Sequence, residues 1–265
     1  MSAGMPAGYA SEPTGGPGHE GAPSRDDAVT AVVERVRAAR TDPTRVVLEG
    51  VHALKHATRF GADIEVIVTP DRTELRRLFA ELAPDVTLPV PPTELAIGAW
   101  RGLVGRELPS PALSVARHPS VAAEQVLAAS GRIVVLEQPR HLGNVGAVIR
   151  VAAAADAGGV LIVGQADPWH ATAVRGAAGL QFALPVARSD RLPRIARPLI
   201  ALDGGGDPLG PGVVPSDAVL LVGTERGGLS DDLLRRADAQ VAIPMREGVS
   251  SLNLATAVAI ALYTA

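Results

Sequence analysis

One group of residues that could do chemistry follows an apolar run in the second half of the chain. Asn144 and Arg150 come after Ile133–Leu136, and the residues between them, Val145–Ile149, are apolar or glycine. If a helix begins near Gly143, Arg150 lies almost two turns beyond Asn144, roughly 9 Å along the axis. An arginine in an apolar helix needs a partner or a functional reason. The pattern indicates either a structural salt bridge to a carboxylate at a sheet end or a cation that faces a reaction cleft.

A glycine-rich loop, Gly223–Gly228, directly follows a second apolar run, Val219–Val222. Glycines let the backbone come close to a ligand because no Cβ intervenes. Such a loop alone is also typical of a tight turn, so the Glu225 carboxylate within it is the more specific feature. Glu225 could instead serve the next helix as a cap or a surface ion pair. Ser230 is the better cap candidate, since it precedes two acidic residues.

A third group joins the strand end Ile243–Met245 to Ser251 and Asn253 through a short polar loop. The segment that follows, Leu252–Tyr263, is rich in alanine and apolar almost all round, which predicts a buried helix. Ser251 could simply cap that helix. Asn253 is more unusual, because an amide just inside a buried helix must find hydrogen-bond partners.

The elements that must position these residues alternate between strand and helix from Gly131 onward. This alternation predicts a parallel sheet with helices on both faces, and ligands bind at the carboxyl ends of such strands. The predicted strands are 133–136, 160–163, 184–186, 199–202, 219–222 and 239–243. The predicted helices are 143–157, 171–178, 190–196 and 252–263. The glycine run after Asp203 is no dinucleotide fingerprint, because its spacing is wrong and it opens no helix.

The first half of the chain predicts a smaller α/β unit. Residues 1–25 are mostly Gly, Pro, Ser and Ala, which predicts a disordered tail. Residues 26–118 form the small unit and residues 119–130 a helical linker to the second unit, 131–265. Strands are predicted at 45–50, 64–68, 86–90 and 112–116, and helices at 26–40, 51–60, 73–82 and 94–100. Thr73 and Thr93 are the predicted caps of the last two helices.

Composition narrows the class of protein. The 265 residues include no cysteine, which excludes disulfides, thiolate zinc sites and cysteine nucleophiles. The segment 1–25 does not resemble a signal peptide and no apolar run is long enough to span a membrane, so we expect a cytoplasmic protein. The net charge of −3 means that a nucleic-acid binder would need a local basic patch. Of the 25 basic residues only Lys55 is a lysine; arginine suits phosphate contacts, but a general compositional bias explains the excess equally well.

Together the three groups of residues resemble the signature motifs of the SPOUT-class RNA 2′-O-ribose methyltransferases, SpoU–TrmH branch, and the chain is similar to the thiostrepton-resistance-type enzymes. The resemblance implies a deep trefoil knot, S-adenosyl-methionine as cofactor and a homodimer formed through the C-terminal unit. It implies catalytic roles for Asn144, Arg150, Glu225, Ser251 and Asn253. It implies cofactor contacts at Leu202, Gly223, Ile243, Met245 and Leu252. The family pattern Ser-Leu-Asn-Val-Ser-Val changes after Asn253, because Leu254, Ala255 and Thr256 replace its second half.

The first unit resembles the small RNA-recognition domain of the same enzymes, which implies RNA contacts at Arg45, His52, Lys55 and Arg59. His52 and His56 share a helix face, but no third ligand accompanies them, so no metal site is expected. Guanidinium stays protonated in proteins, so we expect Arg150 to stabilise developing charge or to orient a phosphate. Ribosomal RNA is the favoured substrate over transfer RNA. A non-catalytic RNA-binding protein on the same fold is the alternative. A nucleotide-dependent α/β enzyme is disfavoured, because the sequence contains no P-loop.

Overall fold

A computed structural model describes residues 25–224 and 227–264 of the chain. The predicted tail, 1–25, lies outside the described residues except for its last position, and so does Glu225. The described chain forms two sheets, one of four strands and one of six. No helix of the described ranges is both long and apolar enough to span a membrane.

The four-stranded sheet is mixed and has the order β1-β4-β2-β3. Strand β4 pairs antiparallel with β1 and β2, and β3 pairs parallel with β2. Its strands are β1 (Arg45–Glu49), β2 (Ile64–Thr69), β3 (Thr93–Glu94) and β4 (Leu113–Arg117). Its helices are α1 (Arg25–Ala39), α2 (Val51–Arg59), α3 (Arg72–Leu82) and α4 (Ile97–Val104). The predicted small α/β unit therefore forms.

Three details of this unit differ from the prediction. The strand expected at 86–90 is absent, because four prolines between positions 84 and 92 remove the N–H groups that a sheet ladder needs. Thr93 lies in the short β3 instead of capping a helix, and α4 begins only at Ile97. The cap of α3 is Asp71, not Thr73, since the Asp71 carboxylate accepts the Glu74 amide at 2.9 Å.

The six-stranded sheet is parallel throughout, in the order β10-β8-β9-β5-β6-β7. Helices cover both of its faces, so the predicted α/β fold is confirmed. The strands are β5 (Ile133–Glu137), β6 (Gly159–Val163), β7 (Val186–Ser189), β8 (Leu199–Pro208), β9 (Val219–Val222) and β10 (Ala239–Ala242). The helices are α5 (Ala123–Ala128), α6 (Leu142–Ala154), α7 (Ala171–Ala177), α8 (Asp231–Arg236) and α9 (Leu254–Thr264), with a 3-10 turn at Leu180–Phe182.

The helix predicted at 190–196 does not form. Pro193 has no N–H to donate, which disfavours a helix at its position. The carbonyl oxygens of Leu192 and Pro193 accept from the Arg236 guanidinium at 3.3 and 3.1 Å, so they serve a different contact. Strand β8 is longer than predicted. Its pairing with β10 jumps from Ala201 to Asp207, so that the residues between them bulge from the ladder.

Alternate residues of β5 point into two cores, as the period of a strand requires. Val134 and Leu136 are fully buried under α6, α7 and α9. Ile133 and Val135 are fully buried on the other face, under α5 and α8. This double cover explains why the strands are continuously apolar.

Helix α7 belongs to the second unit but packs into the core of the first. Val174 is buried together with Leu54 and Ala57 of α2. The carbonyl of Ala178, just after α7, lies 2.8 Å from Nδ1 of His56. Gly179 has a positive φ of 76°, and a Cβ there would lie only 2.6 Å from the Ala53 carbonyl oxygen. The two units therefore share a close-packed contact between α2 and α7.

Candidate active site

A cavity of about 280 Å³ opens where β8, β9 and β10 reach the start of α9. Its size is near the lower end of the range typical of small-molecule pockets, ~300–1,000 Å³. The wall combines strand-end backbone with apolar side chains and one carboxylate. The lining residues are Leu202, Asp203, Gly204, Val222, Gly223, Thr224, Gly228, Ile243, Met245, Ser250, Ser251, Leu252, Leu254 and Ala257.

All five residues predicted to contact a cofactor lie in this wall: Leu202, Gly223, Ile243, Met245 and Leu252. They come from three strands and the segment before α9, so the parallel sheet brings together positions up to 50 residues apart in the chain. Apolar side chains beside exposed strand-end backbone suit an adenine ring, which needs both stacking surface and hydrogen-bond partners. The donor set of the cavity therefore fits a nucleoside-bearing cofactor.

The loop after β9 closes on itself at the cavity wall. Thr224 and Gly228 exchange two backbone hydrogen bonds, each 3.1 Å long, and the Thr224 hydroxyl accepts the Gly227 amide at 3.0 Å. A Cβ at Gly223 would overlap the backbone of Gly228 and Leu229. The glycine is thus required by the packing of the loop against itself, not by open space left for a ligand. Glu225, the predicted catalytic carboxylate of this loop, lies outside the described residues.

Asn253 caps helix α9 and reaches across to helix α6. Its Oδ1 accepts the backbone amides of Ala255 at 2.9 Å and Thr256 at 3.4 Å, and its Nδ2 donates to Oδ1 of Asn144 at 3.3 Å. The prediction that Asn253 lies inside a buried helix is wrong: α9 begins one residue later and Asn253 is exposed. Ser251 is not the cap, and it is exposed in the cavity wall.

Arg150 lies on an exposed part of α6, away from the cavity wall. Its charge acts on His52 of α2: burial lowers the pKa of His52, and the positive charges of Lys55 and Arg150 lower it further. Within the described ranges, no carboxylate forms an ion pair with Arg150. The structural salt bridge considered from the sequence is therefore not found there.

The family model described as SpoU rRNA Methylase matches residues 131–263, which is half of the chain. The chain belongs to the SpoU rRNA methylase family. It is 28% identical over 255 residues to the 23S rRNA (adenosine(1067)-2′-O)-methyltransferase of Streptomyces azureus, with 90% of this chain and 92% of that protein covered. It is 33% identical over 204 residues to an uncharacterised tRNA/rRNA methyltransferase of Mycobacterium bovis, with 71% of this chain and 70% of that protein covered.

The fold is also that of a solved SpoU methyltransferase. AviRb from Streptomyces viridochromogenes, crystallised in complex with the cofactor AdoMet, superposes with a TM-score of 0.70 at 24% identity. The match covers 88% of this chain and 96% of that one. The match extends over both sheets and shows the same fold. The predicted family is confirmed by the family model.

Of the four residues predicted to contact RNA in this SpoU protein, Arg45 lies apart from the other three, which belong to α2. The Arg45 Nε donates to Glu65 at 2.7 Å, and Arg59 donates to both Asp85 oxygens at 3.1 and 2.5 Å. Lys55 donates to the Leu82 carbonyl at 3.3 Å. The positive charge of Arg150 acts on His52. Arg45 starts β1, at the opposite end of that strand from α2.

Sequence reasoning missed two carboxylates at the site. Asp203 lies in the cavity wall, and its Oδ2 accepts the Gly205 amide at 2.9 Å. Glu137 ends β5 and accepts two hydrogen bonds from Ser230, beyond the glycine loop. Both follow apolar strand residues, which is the only signal in the sequence that marks them. Ser230 is confirmed as the cap of α8, since its hydroxyl accepts the Leu233 amide at 3.3 Å.

Proposed function

We propose that this SpoU protein catalyses S-adenosyl-methionine-dependent 2′-O-ribose methylation of ribosomal RNA. The observation that carries the proposal is the cavity at the carboxyl ends of β8, β9 and β10, with the Asn144–Asn253 pair beside it. The cavity supplies a binding surface for a nucleoside, and the two asparagines and Ser251 supply the polar groups next to it. The similar enzymes of known name act on 23S rRNA at ribose oxygens, which supports ribosomal RNA as the substrate.

The bound cofactor supplies an electrophilic methyl group. The protein must therefore bind the cofactor, orient the ribose hydroxyl and stabilise the charge that develops on the ribose oxygen. Leu202, Ile243 and Leu252 provide the apolar walls that hold the nucleoside and exclude water. Asn144, Ser251 and Asn253 position the ribose hydroxyl by hydrogen bonds and relay its proton to water. Alignment of this kind can lower the barrier by several kcal/mol, within the ~7–11 kcal/mol that orientation can supply. We assign Glu225 a catalytic role in this proposal.

Arg150 acts as a fixed positive charge in the proposed mechanism. Its guanidinium stays protonated, so it stabilises the developing negative charge on the ribose oxygen or holds the adjacent phosphate. Because Arg150 stands apart from the cavity of its own chain, we place it at the cavity of a second subunit. The proposal thus includes a homodimer through the C-terminal unit, with each site completed by its partner.

Exposed apolar side chains support this dimer. Val249 and Tyr263 are 48% and 65% exposed and lie in the segment leading to α9 and in α9 itself, whereas the partly exposed Met245 and Leu252 line the cavity. Much of the rest of α6 and α9 is buried, because the two helices pack on each other and on the sheet. The dimer surface is therefore the exposed edge of α9 and its preceding segment rather than the whole of both helices.

The proposal also assigns the remaining parts of the chain. Residues 26–118 form the RNA-recognition domain, 119–130 the linker and 131–265 the methyltransferase domain, with a deep trefoil knot through which α9 passes. The meeting of β8, β9, β10 and α9 at one cavity supports the knot. The absence of cysteine fits a reducing compartment, so we place the protein in the cytoplasm.

The test of the activity is transfer of labelled methyl from S-adenosyl-methionine to ribosomal RNA, followed by mass mapping of ribose-methylated nucleotides. We expect incorporation at one site, resistant to alkaline cleavage because the 2′ oxygen is blocked. Calorimetry with S-adenosyl-homocysteine runs in parallel. Cofactor binding without methyl transfer to any ribosomal or transfer RNA would favour a non-catalytic RNA-binding protein instead.

The test of the shared site uses two inactive variants. In a mixture of Arg150→Ala and Gly223→Val subunits, each heterodimer would hold one site with an intact glycine loop and a partner's intact Arg150. We expect activity to return on mixing, and light scattering to show a dimer without RNA. A mixture that stays inactive although heterodimers form would place Arg150 in its own subunit's site.

A further inference from the structure

Glu137 holds the far end of the glycine loop through both of its carboxylate oxygens. Its Oε2 accepts the Ser230 backbone amide at 2.7 Å, and its Oε1 accepts the Ser230 hydroxyl at 2.7 Å. Hydrogen bonds to an ionised carboxylate are shorter and stronger than those between neutral groups. The two residues are 93 positions apart in the chain, so this contact joins the end of β5 to the segment after β9.

The segment that Glu137 holds is fixed from its other side as well. The Ser230 hydroxyl accepts the Leu233 amide and so caps α8, and Leu229 is buried in the core under α8. One serine thus connects the β5 carboxylate, the start of α8 and the end of the loop. Two residues before it, Gly228 has a positive φ of 62° and lines the cavity.

The glycine loop transmits the position of Ser230 to the cavity. Gly228 exchanges two backbone hydrogen bonds with Thr224, and Gly223 packs directly against the Gly228 backbone. All three residues form cavity wall, whereas Glu137 does not reach it. A shift of Ser230 would therefore move Gly228 and reshape the wall, although Glu137 itself touches no part of the cavity.

We propose that Glu137 is a positioning residue for the cofactor: its carboxylate anchors Ser230 and so holds Gly223, Thr224 and Gly228 in the conformation that binds S-adenosyl-methionine. This inference rests on the proposed function, because it takes the cavity as the cofactor site. The expected signature is loss of cofactor affinity at unchanged chemistry, which a residue that only stabilised the fold would not produce.

The experiment measures S-adenosyl-homocysteine binding by calorimetry on the full-length protein and its variants. Glu137→Ala removes both hydrogen bonds, and we expect the dissociation constant to rise about tenfold. Glu137→Gln should restore most of the affinity, because its amide oxygen can accept the Ser230 amide and its NH₂ can donate to the hydroxyl. Ser230→Ala keeps the backbone contact, so its dissociation constant should lie between those of Glu137→Gln and Glu137→Ala. Glu124→Ala, at an exposed glutamate of α5, is the control and should bind as the wild type does.

Two further readouts separate positioning from stability. In methyl transfer, Glu137→Ala should raise the KM for the cofactor by a similar factor while kcat at saturating cofactor stays within about twofold. The double variant Glu137→Ala/Ser230→Ala should bind no worse than Glu137→Ala alone, since Glu137→Ala already removes both hydrogen bonds that connect Ser230 to β5. If Glu137→Ala fails to fold, cofactor affinity and kcat are compared in Glu137→Gln and Ser230→Ala instead, and Ser230→Ala should show the larger loss of affinity.

The outcomes distinguish this inference from the proposed function. If the wild-type protein does not bind S-adenosyl-homocysteine, the proposed function is wrong and the inference falls with it. If the wild type binds and Glu137→Ala binds equally well, only the inference is wrong. A variant with a lower melting temperature, unchanged cofactor affinity and reduced kcat would likewise reject positioning in favour of a structural role.

Discussion

The cavity beside α9 and the exposed face of α2 are built from different kinds of groups. The cavity wall is largely strand-end backbone with short apolar side chains, and every predicted cofactor residue lies in it. The face of α2 depends on long charged side chains, and their charged groups meet neighbours: Arg59 meets Asp85, and Lys55 meets the Leu82 carbonyl. The order of strands and helices in the sequence determines where the carboxyl ends of the parallel strands lie. The net charge of a surface depends instead on which carboxylates lie beside its cations.

Several other arginines also serve the fold rather than a ligand. Arg197 donates to four backbone carbonyls, those of Leu127, Ala129, Gly131 and Asp217. Arg132 and Arg236 each donate to two more. An arginine-rich composition therefore does not by itself mark an RNA-binding surface in this protein.

The largest effect should come from Arg150, which lies on α6 outside the cavity wall and acts on His52 of α2. Arg150→Ala removes the charge that stabilises the ribose oxygen, and we expect methyl transfer to fall by about 10²–10³-fold. Binding of S-adenosyl-homocysteine should stay within twofold, because Arg150 is not in the cavity wall. Labelled methyl transfer and calorimetry measure the two quantities. A collapse of cofactor affinity in a folded variant would contradict the separation between Arg150 and the cavity.

Gly223→Val tests whether backbone packing builds the cavity. A branched side chain there would overlap the Gly228 backbone and displace the loop, so we expect the dissociation constant for S-adenosyl-homocysteine to rise by about 100-fold, the equivalent of ~2.7 kcal/mol. Gly98→Ala is the control, because a Cβ on that glycine of α4 meets no atom within 4 Å. Normal cofactor binding by folded Gly223→Val would show that the loop does not form the site.

The α2 face should respond unevenly to substitution. His52→Ala should weaken RNA binding by about three- to tenfold, on the scale of ~1 kcal/mol for one side-chain contact. The slope of affinity against salt should not change, because the lowered pKa leaves His52 neutral at pH 7. The double variant Arg59→Ala/Asp85→Ala should change affinity less than twofold, since the two charges that it removes already neutralise each other. Filter binding at several salt concentrations measures RNA affinity. An equal loss of affinity in both variants would show that His52 and Arg59 contribute alike to RNA binding.

The smallest effect concerns pH and stability. Burial lowers the pKa of His52, His56 and His118 below the ordinary value of 6.5. The unfolded chain therefore binds more protons than the folded one as pH falls through 6.5, so stability decreases below that pH and is unaffected well above it. The loss should be below about 1 kcal/mol per histidine, because all three rings are still partly solvated.

Urea unfolding at pH 7.5 and 5.5 measures this loss. His118→Phe should reduce it, since a phenyl ring keeps the contact with Trp169, whose ring centroid lies 4.7 Å away, but does not titrate. If His118→Phe lost the same stability between pH 7.5 and 5.5 as the wild type, His118 would not contribute to the pH dependence.

The sequence by itself determined the parallel sheet, the family and the membership of the cavity wall. Most of these apolar runs end at a glycine or a polar residue, and the alternation with helices brings these ends to one edge. The resemblance to the family then assigned Leu202, Gly223 and Ile243 to one site without any knowledge of distances. The same reasoning failed at 86–90 and 190–196, where prolines interrupt patterns that otherwise suggest a strand and a helix.

Only the tertiary structure decided which polar groups meet. Glu137 and Ser230 are 93 residues apart and Asn144 and Asn253 are 109 apart, and no local pattern encodes such pairs. Arg59 shows the converse, because its motif suggested RNA whereas a carboxylate 26 residues later neutralises it. Backbone geometry is set by local periodicity and strand order. A side chain's partner is set by packing between distant segments, since hydrogen bonds and ion pairs form only within about 3–4 Å.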